Sequence, residues 1–473
     1  MRGFFPSSKS LVTGLTSDAR GDEMDEDRPV QGSNTDTSTN RSQRRKAFLK
    51  ICAPRTRDIQ LPLIDPVLTR GHPNPTGLGE AAILSRQGSW GQSSVLFETL
   101  GDYHQADGNG RAPYGGAEYG VVQTPEADAV CKAMAKLHNG TGAIICPSGL
   151  SAITTTLEAF SPEIVVCPAN VYKPVLRFLD RRHIPYFMYA GDASREEFES
   201  VITGIQQRDE YTPKRCLIYL EAPGSGTFEI PDIEGIVAVA KAKGIRTVMD
   251  NTWASHVRFR PIQYGIDIVI QATTKHEGGY GDTPSGVVIV ASATDHKILS
   301  DELRASGNGA VAPTTCARLL GRLQTTEQRL DQHEASAATL IDWFLERPYV
   351  QSVLSPTLET SPDHERFLKY FGKGNGLFSV AFREGVSEAA LTSFVDNLNI
   401  FWVAESWGGH VSLVLPVREH GAAKAETAGL VLRFHAGLED SQDLIRDLEQ
   451  AERIAFTLVV ENGLLRQTIE ESA

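Results

Sequence analysis

The stretch Ile266–Asp282, IDIVIQATTKHEGGYGD, decides the fold class. It begins as an apolar run of strand length and turns, without a linker, into two threonines, a lysine and a cluster of glycines. A lysine ammonium is costly to remove from water unless it gains a partner. Lys275 nevertheless stands where a buried strand ends, and the glycines after it let the backbone turn tightly around it.

Working outward, the same strand-then-helix rhythm repeats. TGAIICPSG (141–149), EIVVCPA (163–169), KRCLIYLEAPGS (214–225) and IRTVMDNT (245–252) each read as a short apolar strand ending in polar residues or glycine. LSAITTTLEAF (150–160), VYKPVLRFLDRR (171–182) and IEGIVAVAKAKG (233–244) carry helical spacing between them. EADAVCKAMAKLHNG (126–140) supplies a helix before the first strand, with Gly140 as a C-cap. Strands apolar on both faces and joined by helices predict an α/β fold with a mostly parallel sheet. After about residue 310 the texture changes. A long amphipathic stretch, TTCARLLGRLQTTEQRLDQHEASAATLIDWFLER, leads to GLFSVAF, IFWVAE, VSLVLPV and GLVLRFHAG, which read as strands of a second, mixed sheet covered by helices.

Composition bounds the partners. The 473 residues carry a net charge of −13, with 41% hydrophobic and 22% charged side chains, as in a soluble globular protein. That charge opposes general nucleic-acid or anionic-membrane binding, and no apolar run reaches membrane-spanning length. Six scattered cysteines without a CxxC pair favour reduced thiols in a cytoplasmic setting and give no metal site. Residues 1–64 form a polar N-terminal extension expected to be disordered, and 65–120 an arm of loops and short helices. A large domain is expected over 121–312 and a C-terminal domain over 313–473.

Ligands of open parallel sheets bind beyond the carboxyl ends of the strands. Four polar features fall there: Ser148-Gly149, Glu221 with Ser225, Asp250-Asn251, and Thr274-Lys275. Ser148-Gly149 opens a helix, whose free N–H groups suit a phosphate, although a plain tight turn reads the same way. Asp250 is a strand-end carboxylate, equally readable as an N-cap. Lys275, once desolvated, becomes a nucleophilic amine. Phosphate nest, carboxylate and lysine together match the needs of pyridoxal 5'-phosphate.

DNTWA (250–254), QATTKHEGGYGD (271–282), AESWGGHVSL (404–413) and LRFHAGLED (432–440) resemble the signature blocks of the Cys/Met-metabolism pyridoxal-phosphate enzymes. The resemblance spans roughly Ser93 to Phe456. It implies a fold-type-I domain pair: a large domain with a mostly parallel seven-stranded sheet, and a smaller C-terminal α/β domain. It further implies a homotetramer of two active dimers. Lys275 would bind the cofactor covalently and move protons, and Asp250 would pair with the ring nitrogen. Tyr172 would stack on the ring, while Ser148, the Gly149 and Leu150 amides and the Thr274 hydroxyl hold the phosphate. Arg433, with Ser406 and Trp407, would bind the substrate carboxylate. Tyr119 would reach a neighbouring subunit's site, as would the 65–120 arm.

Three positions depart from the family pattern. Val121, in YGVVQT, stands where an arginine usually binds the partner's cofactor phosphate. Arg177 replaces an acidic residue that faces the distal end of cystathionine in β-lyases, and Glu405 replaces a tyrosine. His276 and His410 flank the motifs and read as structural. The implied activity is carbon–sulfur lysis of cystathionine β-lyase type, releasing a thiol, pyruvate and ammonia from a sulfur amino acid. The alternatives are γ-elimination or γ-replacement, and a catalytically reduced regulatory member.

Overall fold

The computed structural model describes residues 100–101, 119, 122–207, 215–417 and 430–461. The N-terminal extension, most of the 65–120 arm, and Val121 lie outside the described residues.

The first sheet has seven strands: β1 (Gly142–Cys146), β2 (Ile164–Pro168), β3 (Tyr186–Tyr189), β4 (Cys216–Glu221), β5 (Arg246–Asp250), β6 (Ile268–Gln271) and β7 (Gly286–Val290). Their spatial order is β1-β7-β6-β5-β4-β2-β3. Only β7 runs antiparallel, between β1 and β6. The remaining pairs are parallel, which requires the helical crossovers legible in the sequence.

Period-two alternation sorts this sheet's side chains into two cores. Ile144, Val165, Leu217, Tyr219, Val248, Ile268 and Val288 meet the helices Gly149–Phe160, Lys173–Arg182 and Ala293–Ser306 on one face. Ile145, Val166, Ile218, Met249, Val269 and Ile289 meet Pro125–Leu137, Arg195–Gln206 and Ile233–Lys243 on the other. Each such aliphatic side chain contributes roughly 1.5–3 kcal/mol on burial. Strands clad on both sides leave only their ends for polar chemistry.

The second sheet, ordered β10-β11-β12-β9-β8, comprises β8 (Val350–Leu354), β9 (Leu377–Phe382), β10 (Trp402–Val403), β11 (Leu413–Pro416) and β12 (Val431–His435). It packs on the helices Thr326–Leu345, Glu388–Asp396 and Ser441–Glu461 through Phe344, Phe378, Phe394 and Phe434. The long amphipathic stretch is two helices, Pro313–Leu323 and Thr326–Leu345, rather than one. Cys316 and Leu319 of the first helix join the core of the seven-stranded sheet, whereas Ala337 and Leu340 of the second join that of the five-stranded sheet. The break at Gln324-Thr325 is where the chain passes from one core to the other. β3, β7 and β8 lie outside the apolar runs named above; β3 and β8 are partly exposed.

Candidate active site

The loop from β6 to β7 carries Lys275 across the carboxyl ends of the parallel strands. Three close approaches shape its floor. A side chain at Gly149 would place its Cβ 2.5 Å from the Cβ of Ala272, and one at Gly286 would lie 2.5 Å from the Ser148 carbonyl oxygen and 2.7 Å from Gly149 Cα. Only glycine lets these three backbones meet. Ser148 caps the helix Gly149–Phe160, its Oγ accepting from the Ser151 N–H at 2.9 Å. The Gly149 and Leu150 N–H groups belong to the first turn and have no acceptor within the helix.

Two acids close the ends of β4 and β5. Glu221 and Asp250 are register partners on adjacent parallel strands, and each is only 8% exposed. Asp250 accepts from the Thr252 N–H at 2.9 Å. Burial pushes its pKa up, opposed by that bond and by the Lys275 ammonium. Glu221 accepts from the Tyr172 N–H at 2.7 Å and from the Ser225 hydroxyl at 2.5 Å. Its pKa is pushed up to about 8, first by burial and then by the Asp250 charge.

Lys275 Nζ donates to Ser406 Oγ at 2.7 Å and lies 5.0 Å from the centre of the Trp407 ring. Burial, followed by the Arg433 guanidinium, lowers its pKa to about 8, against the opposing pull of Asp250 and Glu405. Arg433, on β12, donates through Nη2 to the Ser406 carbonyl at 3.1 Å. Ser406 therefore touches both cations, in a left-handed conformation with φ of 82°. Such a φ is uncommon for a residue with a Cβ and signals a position held by its surroundings. The Lys275 loop is itself clamped from below. The buried Arg329 donates to the carbonyls of His276 and Glu277, while Glu277 accepts from Ser255 Oγ at 2.5 Å and from Gln271.

The structure thus brings together Lys275, Asp250, Ser406, Trp407 and Arg433, with Tyr172 beside the two acids. The electrostatic surroundings of Tyr172 are Asp250, Glu221, Glu405 and Arg177. Glu405 and Arg177 are exposed. Thr274 is engaged elsewhere: its hydroxyl donates to the Ser285 carbonyl at 3.0 Å and accepts from the Ser285 N–H at 3.0 Å. Donation to a phosphate would require that hydroxyl to turn. Tyr119 is half-exposed, its carbonyl accepting from the Val122 and Gln123 N–H groups. His276 is buried, with a pKa lowered to about 4 chiefly by burial, and its Nε2 lies 3.1 Å from the Trp253 carbonyl. The His410 ring lies tilted against Tyr280, their centroids 5.1 Å apart. The clamp by Arg329 was not legible, because an arginine inside an amphipathic helix reads as surface charge.

The donor set fits a phosphorylated pyridine aldehyde. The glycine-lined cradle at 148–149 has N–H groups suited to a phosphate, the buried carboxylate of Asp250 is of the kind that pairs with a ring nitrogen, and a low-pKa amine suits an aldehyde. Among the described residues no group of three or more His, Cys, Asp or Glu side chains is placed to hold a metal ion.

Comparison with known proteins agrees. Residues 89–453 match the family model described as Cys/Met metabolism PLP-dependent enzyme. The L-alanine/L-glutamate racemase of Wolbachia pipientis wMel is 33% identical over 76% of this chain and 90% of its own. The cystathionine β-lyase MetC of Escherichia coli K12 is 31% identical over 76% and 90%. The crystal structure of cystathionine γ-synthase from Xanthomonas oryzae pv. oryzae in complex with cystathionine superposes with a TM-score of 0.67 at 26% identity, covering 77% of this chain and 92% of the other.

Proposed function

The chain belongs to the Cys/Met metabolism PLP-dependent enzymes, and on that premise we propose that it is a carbon–sulfur lyase of cystathionine β-lyase type. The observation that carries this reading is the contact of Ser406 with both Lys275 and Arg433. An amine and a guanidinium held by one residue support a reading in which the first moves the α-proton and the second binds the α-carboxylate of an amino acid.

Bound pyridoxal phosphate supplies an electron sink for the carbanion formed at the substrate α-carbon. The protein's residues do the rest. Arg433 binds the α-carboxylate and fixes the substrate's orientation. Asp250 keeps negative charge at the ring nitrogen. Lys275, with a pKa near the working pH, takes the α-proton and is positioned for that by Ser406 and the Trp407 face. The sulfur leaves the β-carbon as a thiolate, and hydrolysis of the remaining fragment by water gives pyruvate and ammonia. The Gly149 and Leu150 amides hold the phosphate, and Tyr172 covers the ring. The assembly we propose is a homotetramer of two active dimers, in which Tyr119 reaches the neighbouring site.

A second reading, γ-elimination or γ-replacement on an activated homoserine, is favoured by Glu405. Its carboxylate acts on Lys275, Arg433 and Tyr172 at once and could bind a distal amino group. Incubation of the holoenzyme with cystathionine separates the readings. Pyruvate supports the first; 2-oxobutyrate, or γ-adducts from an O-acylhomoserine, overturns it in favour of the second. Loss of optical purity from alanine without thiol release would overturn both.

A further inference from the structure

Glu221 is not needed to hold a phosphate, pair with a ring nitrogen or move an α-proton, yet it is buried at the centre of the site. It ends β4 beside Asp250, in register with it, on the face of the sheet that packs against the helix Lys173–Arg182. That helix starts without a side-chain cap of its own, and the N–H of its N-cap residue, Tyr172, is bound by the Glu221 carboxyl at 2.7 Å. The second Glu221 oxygen is held by Ser225. One carboxyl group thus fixes the backbone of the ring-covering residue and sits next to the ring-nitrogen acid. We infer that Glu221 is a positioning residue of the cofactor site: it anchors Tyr172 over the ring and confines the negative charge at the strand ends to Asp250.

The charge argument follows from proximity. Two buried carboxyl groups side by side do not both ionise readily. The Lys275 ammonium favours charge on Asp250, whereas the groups that Glu221 contacts, the Tyr172 N–H and the Ser225 hydroxyl, are neutral, so the charge belongs on Asp250. The other titratable groups around Glu221, Tyr172, Tyr189, Tyr219 and Cys167, are phenols and a thiol that burial keeps neutral, and such groups are never cations. Ionisation of Glu221 near pH 8 adds a second negative charge facing the ring nitrogen. This inference rests on the cofactor family and not on the choice between β- and γ-chemistry.

The test is binding of pyridoxamine phosphate to the full-length protein stripped of cofactor, followed by its absorbance. This probe has no aldehyde, so no covalent bond to Lys275 contributes. In the wild type, affinity tightens at least about threefold from about pH 7 to about pH 9 as the second charge forms. Lys275→Arg, which keeps the cation but does not titrate in this range, retains that dependence, which separates it from titration of the lysine. Glu221→Gln preserves the size of the side chain and an acceptor for the Tyr172 N–H but cannot titrate, and the dependence disappears. Glu221→Ala loses both functions, and affinity falls about tenfold or more at every pH. A pH dependence that survives in Glu221→Gln, or vanishes in Lys275→Arg, overturns the charge-confining role. Wild-type affinity in Glu221→Ala overturns the anchoring role; if that variant does not fold, Ser225→Ala and Glu221→Gln still report through the pH profile. Failure of the wild type to bind the probe would refute the cofactor assignment itself.

Discussion

Lys275 and Ser406 lie 131 residues apart in the chain, one after a strand of the first sheet and the other before a strand of the second, and meet at 2.7 Å. The bond joins the two sheets' loops at the candidate site. Ser406→Ala removes the acceptor while leaving the backbone to the Arg433 contact. The expected result is a fall in kcat of about tenfold with KM changed much less, since an untethered amine samples unproductive rotamers. Steady-state kinetics check this, and an unchanged kcat would show that the tether is incidental. Ser406→Gly should lose the same kcat but melt higher than Ser406→Ala, because glycine relieves roughly 1 kcal/mol of left-handed strain.

The lowered Lys275 pKa also predicts a stability effect in the protein without cofactor. Folded Lys275 titrates near 8, whereas in the unfolded chain it titrates near its ordinary value. Between those values the unfolded state binds more protons, so stability rises with pH there. Below about pH 8 both states are protonated and the full desolvation penalty, on the order of 3 kcal/mol, is present. Lys275→Met, which cannot carry the charge, should therefore be more stable than wild type near neutrality, with the difference shrinking toward about pH 10. Urea melts at the two pH values test it. A difference independent of pH would mean that packing, not charge, distinguishes the variants.

Much of this arrangement was legible because each strand end carried its chemistry in contiguous residues. Asp250 and Lys275 were readable from their position after apolar runs, and the two-sided burial of β5 and β6 explains why. What sequence could not give was contact across the fold. Glu221 stood out as a polar strand end, but its bond to the Tyr172 N–H depends on parallel neighbours β2 and β4 being placed side by side. Arg329 clamps two carbonyls more than fifty residues away, which no local pattern records. The resemblance makes the Thr274 hydroxyl a phosphate ligand, whereas the antiparallel return of β7 brings Ser285 to it first.

Gly286 is the simplest probe of the cradle. An alanine Cβ there would meet backbone atoms of Ser148 and Gly149 at 2.5–2.8 Å, which cannot swing away as a side chain would. Gly286→Ala is expected to cost about 1–3 kcal/mol of stability through overpacking and to weaken cofactor binding as the helix start shifts. Calorimetry with and without pyridoxal phosphate checks both effects. Normal stability with normal binding would remove the case for a glycine-built phosphate floor.

Arg433 is largely buried, which opposes its charge; Glu405 acts on it, but among the described residues no carboxylate contacts it directly, and its Nη2 bonds the Ser406 carbonyl. A substrate carboxylate would supply the missing anion. Arg433→Leu should lower kcat/KM by about 100-fold or more, corresponding to the loss of a charged, two-point contact of about 3 kcal/mol. Arg433→Lys should recover only part of this, because an ammonium cannot make the paired bonds. Full recovery by lysine would show that charge alone suffices and that the planar clamp is not used.

Arg177 tests which substrate end the site accepts. It lies exposed on the helix that begins at Tyr172, where its charge acts on the Tyr172 hydroxyl. Cystathionine carries an ammonium at its distal end, and a guanidinium facing it repels it in a water-screened setting by about 1 kcal/mol. Arg177→Asp reverses that sign, so kcat/KM for cystathionine should rise several-fold, mainly through KM, while a small thioether without a distal ammonium should be unaffected. The gain should shrink as salt is added, since an exposed charge acts through screened solvent. If activity on cystathionine instead falls together with bound cofactor, Arg177 serves the phosphate and takes over the task of the arginine absent at Val121.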